Sequence, residues 1–323
     1  MKIFKDCTED QITQAAQALI DGHLVAFPTE TVYGLGADAS NASAVSRVYE
    51  VKGRPKDHPL IVHISSINHV THWASEIPDY AFELAARFWP GSMTLILPRS
   101  PLAKDFVTGK QNTIGLRIPS HPLALTLLRK FEGLGGKGIA APSANRFGAV
   151  SATTAGAVIE ELGAHMGEND LILDGDQSLV GIESSIIDCT KSVPCILRPG
   201  SITSEMIKVV INLDVSQVDS DGHLRTSGMH LSHYAPNAKV VFDQKIQPGD
   251  GLIALAAVPT PARVIRLASP NSVEEFARDL YEALRKADSM GLERISIVLP
   301  KGEGLATAIR DRVVRAAGSL MHF

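Results

Sequence analysis

Residues 48–64, VYEVKGRPKDHPLIVHI, pass from a helical pattern through a stiff basic loop into an apolar strand. Residues 43–51 read as helix, and the β-branched run 60–64 reads as a strand. Between them Lys52, Arg54, Lys56 and His58 fall within seven positions. Pro55 and Pro59 restrict the loop's freedom. A helix, a stiff basic loop and a buried strand in succession are expected to form an α/β unit whose loop, otherwise a charged surface turn, could hold an anion at a strand edge. Lysine is a compact point charge, and arginine is a planar fork matched to phosphate oxygens. Lys52 and Arg54 are therefore expected to face solvent in a cleft, with Lys56 simply solvated.

The bulk numbers agree with a site of local charge. The chain has 323 residues, 45% apolar and 20% charged, enough for about two domains of ordinary globular composition. Its formal net charge of -4 excludes a global basic field for nucleic acid. Cys7, Cys189 and Cys195 form no C-x-x-C pair and fit a reducing compartment. MKIFKDCTEDQ opens without a signal-peptide apolar run, and no uncharged stretch has bilayer length, so a cytoplasmic location is expected.

Outward from the opening stretch, short strands and helices alternate loosely. Residues 8–20 read as a helix capped by Thr8 with Gln11 in the capping-box position. Strands are expected at 24–27, 93–97, 113–118, 171–173, 185–188 and 195–197, and helices at 80–88, 122–131 and 153–162. PTETVYGLG (28–36) reads as a turn-rich loop. The expectation is a mixed twisted sheet with helices around a concave cleft, in a domain spanning 1–211. Residues 212–237 lose periodicity and read as a linker, although GMHLSHYAP (228–236) carries two histidines and a tyrosine that a spacer does not need. Residues 238–323 regain a β-then-βα pattern. Their strongest helix, 272–287, places Val273, Phe276, Leu280 and Leu284 on one face, with Ser272 and Glu275 as a capping box. This second unit reads as a smaller Rossmann-like α/β domain.

Several motifs lead nowhere. GEGLAT (302–307) lacks the third glycine of a dinucleotide fingerprint, and too little chain follows for a ribose carboxylate. GLGGKG (133–138) has neither the spacing nor the Ser/Thr of a P-loop. His63, His69 and His72 have no cysteine or carboxylate to complete a metal set, and no G-x-S-x-G elbow is present. What remains is a series of polar groups at the ends of apolar strands. These are Glu30 with its neighbouring hydroxyls, Arg117 before Pro119, Ser143 and Asn145 in APSAN, Ser184 and Ser185, and Arg198. Together they describe a cleft floored by a sheet, with Lys52, Arg54, Arg198 and Arg117 as cations. Since no nucleophile stands beside a base, the chemistry is expected to rest on positioning and charge stabilisation, as in nucleotidyl transfer.

The motifs PTETVYGLG, KGRPKDHPL, GLRIP, APSAN, GIESSIID and LRPG, in this order, resemble the YrdC-like threonylcarbamoyl-AMP synthases. The tail resembles the long branch of that family. The resemblance implies that L-threonine, bicarbonate and ATP give threonylcarbamoyl-AMP, pyrophosphate and water, with Mg²⁺ arriving on ATP. It implies that the product feeds a tRNA threonylcarbamoyl transferase machinery, with any direct tRNA binding weak. Carried over by position, Thr31, His63, Arg117, Ala141 and Ser184 would line the threonine site. Lys52, Arg54, Ser143, Asn145, Ser151 and Arg198 would meet the ATP phosphates, with Lys52 and Arg54 catalytic. His58 and Thr113 would stand at the nucleotide edge, and Tyr234 would reach over it as part of a linker lid. The chain departs from the family pattern at His58, where asparagine is frequent, and at Ala152, where proline is usual. Two alternatives follow from the same residues: an RNA-binding module using the basic cleft, and a carbamoyl-adenylate-forming enzyme. The chain lacks the acylphosphatase-like module and cysteine pairs of the latter, and the aromatic-studded basic stripe of the former.

Overall fold

The computed structural model describes residues 1–217 and 234–318. Among them, eleven strands build one mixed sheet and four build a second. The first contains β1 (Lys2–Phe4), β2 (Val25–Phe27), β3 (Gly34–Asp38), β4 (Ile61–His63), β5 (Met93–Pro98), β6 (Thr113–Arg117), β7 (Ile139–Ala140), β8 (Leu171–Leu173), β9 (Ser185–Asp188), β10 (Cys195–Arg198) and β11 (Ser216–Gln217). Their order is β1-β8-β2-β3-β7-β4-β6-β5-β9-β10-β11. Helices α1 (Glu9–Ile20), α2 (Ala42–Lys52), α3 (Val70–Trp73), α4 (Asp79–Phe88), α5 (Asp105–Thr108), α6 (Pro122–Gly133), α7 (Ala155–Leu162) and α8 (Ser204–Ile211) surround it.

Local chemistry sets these elements. Thr8 caps α1 in a reciprocal box, accepting from the Gln11 amide at 3.4 Å while the Gln11 side chain accepts from the Thr8 amide at 3.1 Å. Asn41 caps α2 by accepting from the Ser43 and Ala44 amides, and Gly53 ends it in the left-handed region at φ 62°. That stop turns the chain into the basic loop. PTETVYGLG is only partly a loop: Gly34 begins β3, which pairs antiparallel with β2 and β7. Its small residues gave no alternation from which to read a strand. α1 and α6 pack Leu19, Leu127 and Phe131 against Phe27 and Leu173, while Trp73, Leu84 and Leu116 belong to a larger core cluster.

The second sheet is parallel, in the order β12 (Lys239–Phe242), β15 (Arg294–Ile297), β13 (Gly251–Ile253), β14 (Ile265–Ala268). It carries α9 (Val273–Ser289) and α10 (Leu305–Ala316). Ser272 caps α9 by accepting from the Glu275 amide at 3.1 Å, and Phe276, Leu280 and Leu284 are buried as the pattern predicts. The core of this unit does not close on itself. Val32, Val150 and Ile182 from the first domain and Tyr234 from the end of the linker complete it. Gly181 lies so close to α9 that a Cβ there would fall 2.3 Å from the Arg278 Cα, and its φ of 77° suits glycine. Most of the linker, including His230 and His233, lies outside the described residues. No helix among the described residues is long and apolar enough to cross a membrane.

Candidate active site

A narrow cleft lies over one face of the first sheet. Strand register builds its floor. β4 and β6 run parallel, with Ile61 opposite Gly115 and His63 opposite Arg117, so His63 and Arg117 stand side by side on one face. Thr29 and Thr31 come from the loop after β2, Ala141 and Ser143 from the loop after β7, Ser184 from the edge of β9 and Arg198 from the end of β10.

One corner is organised by Arg117, which is 5% exposed. Its guanidinium donates to Glu30 Oε1 at 2.5 Å, Thr31 Oγ1 at 2.9 Å and the Gly91 carbonyl at 3.2 Å. Burial alone would raise the Glu30 carboxyl. The Arg117 charge and the bonds from Arg117 and the Ser120 amide instead hold it below its ordinary value. His63 is buried beside this pair. Desolvation first, then the Arg117 charge, lowers its pKa to about 3, so the ring is neutral at neutral pH. Among the described residues its buried Nδ1 makes no hydrogen bond.

At the other corner stand Arg54, Ser143, Glu183, Arg198 and Tyr234. Burial lowers Arg54 to about 10, which leaves it charged. Its guanidinium lies 5.9 Å from the Phe147 ring and donates to the Pro59 carbonyl at 3.0 Å. Arg198 donates to the Ser184 carbonyl at 3.0 Å and the Ser184 hydroxyl at 3.2 Å. Tyr234, at φ 62°, is 1% exposed.

The structure gathers Thr31, Arg54, His63, Arg117, Ala141, Ser143, Ser184, Arg198 and Tyr234 around this cavity. It places Lys52, His58, Thr113, Asn145 and Ser151 outside the lining. The expectation that Lys52 and Arg54 face solvent is overturned: they are 2% and 7% exposed. Lys52 ends α2 and turns inward, where its ammonium donates to the Ser143 and Asn145 carbonyls of APSAN. Thr113 begins β6 and Arg117 ends it, roughly 13 Å apart at strand rise. The His58 ring stands 5.4 Å from Phe147, next to Arg54 but outside the cavity. Ser151 donates to the lining residue Glu183 at 2.6 Å. Sequence reasoning passed over Glu183 itself. In GIESSIID it is a charged residue among buried neighbours, which was the available signal.

Among the described residues the cavity is floored by the sheet and lined by several guanidinium groups, the features of a site built to hold an anion. The comparisons specify the family. Residues 17–200 match the Sua5/YciO/YrdC family model, described as telomere recombination. Residues 202–318 match the model described as the threonylcarbamoyl-AMP synthase C-terminal domain. A threonylcarbamoyl-AMP synthase of Pyrococcus abyssi is 39% identical, over 96% of this chain and 95% of that one. One of Bacillus subtilis is 38% identical, over 98% and 97%. The crystal structure of P. abyssi Sua5 complexed with L-threonine superposes with a TM-score of 0.89, at 36% identity over 98% of each chain. The chain belongs to the threonylcarbamoyl-AMP synthase family, in the form that carries the C-terminal domain, and is an enzyme of the nucleotidyltransferase type.

Proposed function

We propose that this chain condenses L-threonine, bicarbonate and ATP to threonylcarbamoyl-AMP, with release of pyrophosphate and water. The observation that carries the reading is the placement of two chemically distinct corners in one cavity. The Arg117–Thr31–His63 corner suits an amino acid. The Arg117 guanidinium has more N–H donors than its protein contacts use, and these would take the threonine carboxylate. The neutral His63 ring offers Nδ1 as an acceptor for the threonine hydroxyl, and Ala141 and Ser184 complete that wall.

Arg54, Ser143 and Arg198 would meet the ATP phosphates, with Tyr234 closing over them. Lys52 and Asn145 would support this corner by fixing the APSAN backbone, Ser151 would support it through Glu183, and His58 and Thr113 would flank it. Mg²⁺ would enter bound to the ATP phosphates and need no protein cage. The steps balance without a protein nucleophile. The threonine amine attacks bicarbonate, water leaves, and a carbamate forms. A carbamate oxygen then attacks the α-phosphorus, the bond to the bridging oxygen breaks, and pyrophosphate departs with that electron pair. Carbamates decompose in water, so a buried site protects the intermediate. The adenylate would pass to a tRNA threonylcarbamoyl transferase machinery.

Equilibrium titration of amino acids onto the full chain tests the substrate corner. Threonine is expected to bind about tenfold or more tightly than valine, which replaces the hydroxyl by a methyl and leaves buried polar atoms unmatched. Equal affinities for the two would refute the assignment.

A further inference from the structure

Glu183 lines the nucleotide corner, and groups from two domains converge on it. Ser151 of the first domain donates to Oε1 at 2.6 Å. Arg312 of α10 donates through Nε to Oε2 at 2.7 Å, and the Tyr281 hydroxyl of α9 donates to the same oxygen at 2.9 Å. Arg312 also reaches the Pro199 carbonyl at 3.0 Å, one residue beyond Arg198. Both C-terminal residues contact Tyr234 as well. Tyr281 stacks on its ring at 5.6 Å between centroids and 28° between planes, and the Arg312 guanidinium lies 5.5 Å from its centroid.

A polyphosphate site that contains a carboxylate requires an explanation, because like charges oppose binding. Arg312 is completely buried in the second domain and divides its charge between that carboxylate at 2.7 Å and its neighbour Asp311 at 2.6 Å, which Arg315 also pairs. Burial of an arginine is unfavourable without such a partner. Burial would raise the Glu183 carboxyl, but the Arg312 and Arg198 charges, with the Ser151 and Arg312 bonds, hold it at about 2, so it remains an anion that has to be neutralised.

We propose that Arg312 and Tyr281 are positioning residues for the nucleotide end of the cavity. By binding Glu183 and clasping Tyr234 they neutralise the carboxylate, leave Arg198 directed at phosphate, and make ATP binding depend on the docked C-terminal domain. This rests on the reading of that corner as the ATP side.

The test uses full-length chains carrying Arg312→Met, Tyr281→Phe, and Arg312→Met with Glu183→Gln, read by direct equilibrium binding of Mg-ATP and, separately, of threonine. Arg312→Met is expected to weaken Mg-ATP binding at least about tenfold and threonine binding less than about twofold. Tyr281→Phe should weaken Mg-ATP binding a few-fold. The double variant should recover most of the Arg312→Met loss, because it leaves no unpaired carboxylate. Should Arg312→Met fail to fold, Tyr281→Phe carries the test. Unchanged Mg-ATP affinity in Tyr281→Phe and in folded Arg312→Met, or equal losses for both ligands, would reduce the contact to domain adhesion and overturn the proposal. An unaltered chain that binds threonine but no Mg-ATP would instead overturn the reading of the corner, and the proposal with it.

Discussion

At the scale of single residues, the site consists of charged groups that would be unfavourable where they stand without their partners. Arg117 and Glu30 are both buried and form a close ion pair, with Thr31 bonded to the same guanidinium. His63 beside them is stabilised as the neutral ring. Its pKa is lowered from 6.5 to about 3, so between those values the unfolded chain binds a proton that the folded chain refuses. Stability must then rise with pH across that window and be complete above 6.5. The slope approaches about 1.4 kcal/mol per pH unit. Glu183 works in a lower window, where its stabilisation fades as pH falls below 4.5 toward about 2. Urea melts between pH 4.5 and 6.5 avoid the Glu183 window; His72 and His121, which burial also lowers, add to the slope there, so the His63 share is read as a difference between variants. His63→Asn is expected to flatten the slope there relative to the unaltered chain, and identical slopes would contradict the account.

At the scale of elements, α2 acts as a strut. It ends at Lys52 and stops at Gly53, which places an ammonium under the Ser143 and Asn145 carbonyls. Burial, then the Arg54 charge, pushes the Lys52 pKa well below its ordinary range, and the two carbonyls offset the cost of the charge. Hydrogen bonds to a charged group are worth roughly 1.5–3 kcal/mol. Lys52→Met is expected to lower the melting temperature by about 5 °C or more. An unaltered melt with weakened ATP binding would return Lys52 to the cavity as a phosphate contact. The distinction was not legible in the sequence. A lysine at a helix end beside Gly-x-Pro reads as exposed, and its partner loop lies 91 residues away. Arg117 was legible as a charged residue closing an apolar strand, whereas His63 entered the site only through the family resemblance; the register that sets the two side by side belongs to the folded sheet. The short strand β3 was not legible, since GLGAD carries little side-chain pattern.

At the scale of the molecule, the two domains share one hydrophobic cluster and one buried polar hub. The sequence showed both domains and the weakening of pattern between them. It could not show Glu183 meeting Tyr281 and Arg312, 98 and 129 residues further on, because a helix interior gives no sign that its arginine is buried against another domain. On this reading the shared cavity joins an amino acid to a nucleotide. The most direct measurement is pyrophosphate release from Mg-ATP by the full chain, with bicarbonate and each amino acid supplied in turn. Release is expected to require threonine and bicarbonate together. Release indifferent to threonine, or none from folded protein, would contradict that reading.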